Sequence, residues 1–369
     1  MREKLNRQVF QGLSHNQEKL TGIKKTNYRM KLSIQDSNVL KGIAILIMLW
    51  HHLFLRPEMY AYNDIVIHGH GIAQEIAIMC KVCVAIFVFV SGYGLTEKYG
   101  DGANIKLKDF YWKRFTKLML NYWFVWLIFV PISVLWLGPS FAESYGSDKF
   151  LQGRVVLDFL GIVNWLGPTV YNYNAAWWFY GCIIGLYLLY PLLLRMAKQN
   201  EYYLIVFAIA VFCLPSAFLF CIRIYLPVFV CGMLYSLHDN ERTYHIAPPI
   251  SVWIITFFFI LIGRHKIQGN DFYVYDALIM ISGVYVYQHI SGFIRTKQCL
   301  AFFGKYSMDM FLIHGFFYKW WMHDIIYHTG NPFIIYITLI AISLVVAIAI
   351  EKVKQILGFN RMMKYLRSL

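Results

Sequence analysis

Residues 38–55 read NVLKGIAILIMLWHHLFL, and this run decides the fold. It carries three ionisable side chains, Lys41, His51 and His52, in an otherwise apolar segment. Eighteen helical residues rise about 27 Å at ~1.5 Å each, close to the ~30 Å of hydrocarbon that a membrane span must cross. Runs of the same kind recur at 73–93, 118–137, 177–194, 202–220, 224–237, 249–263, 272–290, 300–318 and 333–350. The sixth and seventh of the ten are short, and 155–166 is a further apolar piece too short to span, so nine or eleven crossings also fit. The expected fold is all-α, a polytopic membrane protein of about ten transmembrane helices.

Composition agrees. Of 369 residues, 59% are hydrophobic and 15% charged, against roughly 45–50% and about 25% in an average soluble chain. Mean hydropathy is +0.50. Such a chain cannot clothe a water-facing surface, which excludes a disordered chain, a collagen-like fibre and a disulfide-stapled module. The net charge of +14 is spread between apolar runs rather than gathered on one polar face, so nucleic acid is not an expected partner. Cys80 and Cys83 form a CxxC inside an apolar segment with no second pair, and the seven cysteines read as buried thiols. No metal is expected. The first apolar run follows a polar, basic stretch, so no cleavable signal peptide is expected.

Lysine and arginine counts orient the chain. With the N-terminus inside, the cytoplasmic segments hold 24 of the 34, the opposite side holds 7, and Lys41, Lys81 and Lys305 lie within spans. That asymmetry places both termini in the cytoplasm. The organisation is then a basic cytoplasmic segment (1–37), one membrane domain (38–350), and a cytoplasmic amphipathic tail (351–369) lying on the bilayer surface.

Ionisable groups inside spans are costly and therefore functional candidates. Lys41 and His52 are eleven residues apart, three helical turns plus about 20°, so they share a face about 16 Å apart along the axis. A cation near the cytoplasmic end, below a deeper imidazole, suits a long anionic ligand whose far end needs proton chemistry. The alternative is a snorkelling lysine and a packing histidine. His51 points about 100° away and reads as a bystander.

Segment FYWKRFTKLMLNYW (110–123) sets Lys113, Arg114 and Lys117 at the mouth of the third span. They read either as positive-inside anchors or as a phosphate clamp, Arg114 having the best geometry. In FFGKYSMDMFLIHGFF (302–317), Lys305 and Asp309 are i, i+4 and expected to neutralise one another. His314 is expected near the outer interface. Glu75 and Lys81 flank the apolar core of the second span.

Six motifs follow in order: Lys41, Gly42 and His52 in the first span; FVFVSGY with Ser91 and Gly92; KRFTK; WWFYGCIIGLYLLYP with Trp178, Tyr187 and Pro191; PVFVCG with Pro227 and Gly232; and GKYSMDMFLIH with Gly304, Ser307 and His314. In this the chain resembles the acyltransferase-3 family of integral membrane acyltransferases, from about residue 35 to 350. The resemblance implies transfer of an acyl group, foremost acetyl, from cytoplasmic acetyl-CoA to a hydroxyl of a cell-surface or lipid-linked glycan. Lys41, Lys113, Arg114 and Lys117 would hold the coenzyme phosphates. His52 would act as general base or acyl carrier, and Ser91 would donate near the thioester. Trp178, Tyr187, Ser307, Asp309 and His314 would support the site. The implied location is a bacterial inner membrane, and a homo-oligomer is compatible.

Departures from the family pattern are lysines at 41, 113 and 117 where arginine is frequent, and Cys182–Gly185 where many relatives carry a glutamate. No appended esterase-like domain is expected after the last span. The competing reading is a transporter or flippase of sugar or lipid intermediates, which buried charges and about ten spans also suit. A structural scaffold for polymer export would leave the Lys41–His52 spacing unexplained.

Overall fold

The computed structural model describes residues 31–60, 62–100, 105–167, 170, 172–215, 220–238, 249–266 and 273–368. The basic N-terminal segment lies outside the described residues as far as residue 30. The described helices of eight or more residues are α1 Ile34–Phe54, α2 Ile72–Cys80, α3 Cys83–Tyr99, α4 Leu107–Ile132, α5 Leu151–Phe159, α6 Trp178–Gln199, α7 Glu201–Phe212, α8 Phe220–His238, α9 Ile250–Lys266, α10 Tyr273–Ile290, α11 Lys297–Phe316, α12 Pro332–Ile356 and α13 Phe359–Leu366. The sheet among the described residues is one hairpin of two-residue strands, Val66–Ile67 and His70–Gly71.

Six stretches are long and apolar enough to cross a membrane among the described residues: Ile34–Phe54, Ile72–Tyr99, Leu107–Leu137, Ala175–Gln199, Cys221–His238 and Pro332–Ile356. The other expected spans are helical but differ from expectation. The described part of the run 202–220, as far as residue 215, carries the twelve-residue α7. It stops at Phe212, three residues before Pro215, whose ring disfavours helical backbone just ahead of it. Helices α9, α10 and α11 are helical where expected, but they carry polar residues such as Arg264, Asp276 and Asp309. Helix α1 starts four residues before the apolar run because Ser33 and Asp36 cap it reciprocally, Asp36 N donating to Ser33 Oγ at 3.0 Å and Ser33 N to Asp36 Oδ2 at 2.9 Å.

Two helix pairs frame the interior, each crossing at glycines. Helices α1 and α11 run the same way, their His52 and His314 rings meeting at one end. A Cβ on Gly304 would collide with the backbone carbonyl of Asn38, and one on Gly42 with that of Leu300. Helices α3 and α8 repeat the device. Gly92 sits against the carbonyl of Phe229 and Gly232 against that of Phe89, while Ser236 donates to Glu97 at 2.8 Å further along. Backbone-on-backbone packing of this kind needs small residues. Four motif glycines are thus structural. Gly304→Ala is expected to cost about 1–3 kcal/mol through overpacking, read as a lowered thermal midpoint in detergent, and Gly304→Val more.

Past α4, Pro131 precedes a wide turn at Ser133–Leu137, and the following loop folds around the buried carboxylate of Asp158. That carboxylate accepts from the Tyr145 hydroxyl, the Asn172 amide and the Tyr173 backbone N–H. The loop leads into Asn174 and Trp177, whose side-chain N–H groups both donate to the carbonyl of Leu312, at 3.1 and 3.0 Å. Trp177 thereby pins α11 just before His314.

Candidate active site

Helices α1, α3, α4, α6 and α11 enclose a cavity of about 510 Å³. Lys41 and His52 both line it, as their shared helical face requires. At the Lys41 end the wall includes Arg114, Lys117 and Lys305. Lys117 lies within electrostatic range of Lys41, Arg114, Lys98 and Arg367. Arg114 spreads its guanidinium 5.3 Å from the centre of the Tyr99 ring, and its Nε is buried without a partner among the described residues.

Among the described lining residues there is no carboxylate. Each cation costs about 2.5–3.5 kcal/mol at the centre of a bilayer helix, less near its ends. Four of them at one end of a cavity, with no acid to neutralise them, make a site for a polyanion.

The middle of the cavity is lined by Ser91, Ser307, Tyr187 and Trp178, with Phe87, Phe179 and Phe311 supplying apolar wall. Tyr187 stands beside Ser91 and Arg114. At the far end is His52, its ring 5.3 Å from His51 and 5.0 Å from His314 between centroids. His51, read from sequence as a bystander, also reaches the cavity. Its Nδ1 donates to the carbonyl of Ala77 at 2.7 Å, anchoring α1 to α2. Lys81, at the break between α2 and α3, is a further lining cation beside the Tyr273 ring.

Three expected site residues do not line the cavity. Lys113 faces a separate cavity of about 320 Å³ with Lys108, Asp109, Trp112 and Ser368. The tail diverts it there, since Trp112 Nε1 donates to the carbonyl of Leu366. Asp309 does not pair with Lys305. It receives Lys354 Nζ at 2.7 Å, which also donates to Asn121 Oδ1 at 3.1 Å. Lys305 is left facing the cavity, one turn from where the i, i+4 rule would have spent it. His314 is fully buried, at 0% exposure, behind His52.

Lys305 is the principal residue that sequence reasoning misassigned. Its signal was present in the Gly-Lys-Tyr-Ser run, but the partner of Asp309 lies 45 positions downstream, beyond the reach of any local rule.

No curated protein and no solved structure matches this chain. A family model described as an acyltransferase domain matches residues 34–352, nearly the whole helical frame and every residue of the cavity, and the chain therefore belongs to the acyltransferase-3 family of membrane acyltransferases.

Proposed function

We propose that the protein is an O-acetyltransferase that moves an acetyl group from acetyl-CoA to a hydroxyl of a cell-surface or lipid-linked glycan. The observation that carries this reading is the cavity itself, with four cations and no carboxylate at one end and a histidine at the other. Lys41, Arg114, Lys117 and Lys305 would hold the coenzyme's phosphates, and the thioester would lie toward His52. A neutral His52 takes the proton of the acceptor hydroxyl as the oxygen attacks the thioester carbon. The carbon–sulfur bond breaks, and the departing sulfur takes up that proton. The products are an acetyl ester and free CoA.

In this reading the helical bundle crosses a bacterial inner membrane, with both termini and the cationic end of the cavity in the cytoplasm. The lysine and arginine asymmetry supports that orientation, and the family membership supports the location. Acetyl-CoA at a hundred times its dissociation constant is expected to stabilise the detergent-purified protein by about 2.7 kcal/mol, seen as a raised thermal midpoint. The Lys41→Ala/Lys305→Ala double variant is expected to lose most of that gain. If acetyl-CoA leaves the wild-type midpoint unmoved, the donor is wrong and a transporter of sugar intermediates becomes the better reading.

A further inference from the structure

We propose that His314 is a positioning residue that fixes the tautomer and direction of His52, an inference that rests on His52 being the base. His314 Nδ1 lies 2.9 Å from the carbonyl of Phe311 and 3.2 Å from that of Met310. A ring nitrogen facing carbonyl oxygens must carry the hydrogen, so Nε2 holds a bare lone pair. That Nε2 is buried and has no partner among the described residues. An acceptor without a donor in a dry interior is unfavourable, and its ring is in contact with His52, 5.0 Å away between centroids at a tilt of 44°.

Neighbouring donors are otherwise engaged: Lys319, within electrostatic range of both rings, lies over the rings of Tyr318 and Trp320 at 5.9 and 6.0 Å. Tyr318 stacks on the His314 ring face, 6.0 Å away at 14°, and its hydroxyl meets Tyr60. The His51 N–H is spent on Ala77. His52 is therefore the donor at hand. Its ring faces the cavity and has no hydrogen bond to any described residue that would choose its tautomer. A His52 N–H turned onto His314 Nε2, a bond not made in this structure, would put the single hydrogen of neutral His52 on that side and leave the other nitrogen as a lone pair toward the cavity. When His52 accepts a proton, the same bond persists and the neutral neighbour steadies the cation without adding charge to the bilayer. The pinning of Leu312 by Asn174 and Trp177 keeps the acceptor where it is needed.

The test compares His314→Gln with His314→Met, which have similar length and differ in whether they offer a strong acceptor. Membrane vesicles carrying each variant are given radiolabelled acetyl-CoA, and acetyl incorporation into the polysaccharide fraction is followed against acetyl-CoA concentration. His314→Met is expected to lose about 10–100-fold in kcat with KM for acetyl-CoA within about twofold, because the phosphates are held at the other end of the cavity. His314→Gln is expected to recover most of the loss. Equal rates for the Met and Gln variants, or a wild-type rate for Met, overturn the proposal. Should the Met variant not accumulate, His314→Ala replaces it. Imidazole added to the assay then restores the rate if a missing acceptor is the defect, and a failure to restore it overturns the proposal. His52→Ala run alongside separates the two levels. If it transfers normally, the base itself is misassigned. If it is inactive while His314→Met is normal, only the positioning role falls.

Discussion

Acetyl transfer is expected to fall about 10²–10⁴-fold when His52 is replaced by alanine, with acetyl-CoA binding nearly intact. The two effects separate because the imidazole and the cationic cluster occupy opposite ends of one cavity, about 16 Å apart along α1 by helical rise. In the proposed mechanism, removing the ring deletes the proton acceptor and leaves Lys41, Arg114, Lys117 and Lys305 where they were. The adjacent His51 is not expected to substitute, since its Nδ1 is tied to Ala77 on α2. The measurement is acetyl content of the surface polysaccharide in cells expressing the variant at wild-type level, with thermal stabilisation by acetyl-CoA on the purified protein. Wild-type acetylation would remove His52 from the chemistry. Loss of both acetylation and stabilisation would mean that it shapes the donor pocket instead.

The largest effect on stability is expected at the Asp309–Lys354 pair. Lys354 is 2% exposed and Asp309 7%, and the ammonium also lies over the rings of Phe124 and Phe359 at 5.5 and 5.8 Å. Removing one member strands the other as a buried, unneutralised charge. Lys354→Met is therefore expected to cost about 3–5 kcal/mol. The double variant Asp309→Leu/Lys354→Met is expected to recover much of that, because replacing both charges with apolar side chains of similar size is often close to neutral. Thermal or denaturant unfolding in detergent reads the difference. A double variant no better than the single would show that the pair does more than neutralise itself. Neither residue lines the cavity, so KM for acetyl-CoA should hold in whatever protein remains folded.

These two expectations also mark how far the sequence could be read. The Lys41–His52 face follows from helix geometry alone, and both residues meet the cavity. The positions of most helices follow from hydropathy. What failed were readings in which a local rule met a distant partner. Lys305 and Asp309 satisfy the i, i+4 rule, yet the bond goes to Lys354 on α12. Lys113 and Lys117 are likewise one turn apart, but the C-terminal tail at Leu366 closes over that surface and the two lysines face different cavities. His314, near the end of an apolar run, gave no sign in the sequence of its burial against His52. Its burial is created by Tyr318, Phe311 and the α1 histidine, none of which hydropathy can bring together. Helix α7 ends at Phe212 for a nearer reason, since Pro215 was visible and outweighed by apolar content.

The paired glycine crossings bear on the transporter reading as well. Machines that expose a pocket first to one face of a bilayer and then to the other do so by tilting one group of helices against another. In this protein the walls on both flanks of the pocket are joined main chain to main chain, at Gly42 and Gly304 and again at Gly92 and Gly232, with no side chains between them to act as bearings. Such joints resist rocking. A vessel with riveted sides passes a small cargo through its middle more readily than it turns itself inside out, which favours the proposed acyl transfer over transport.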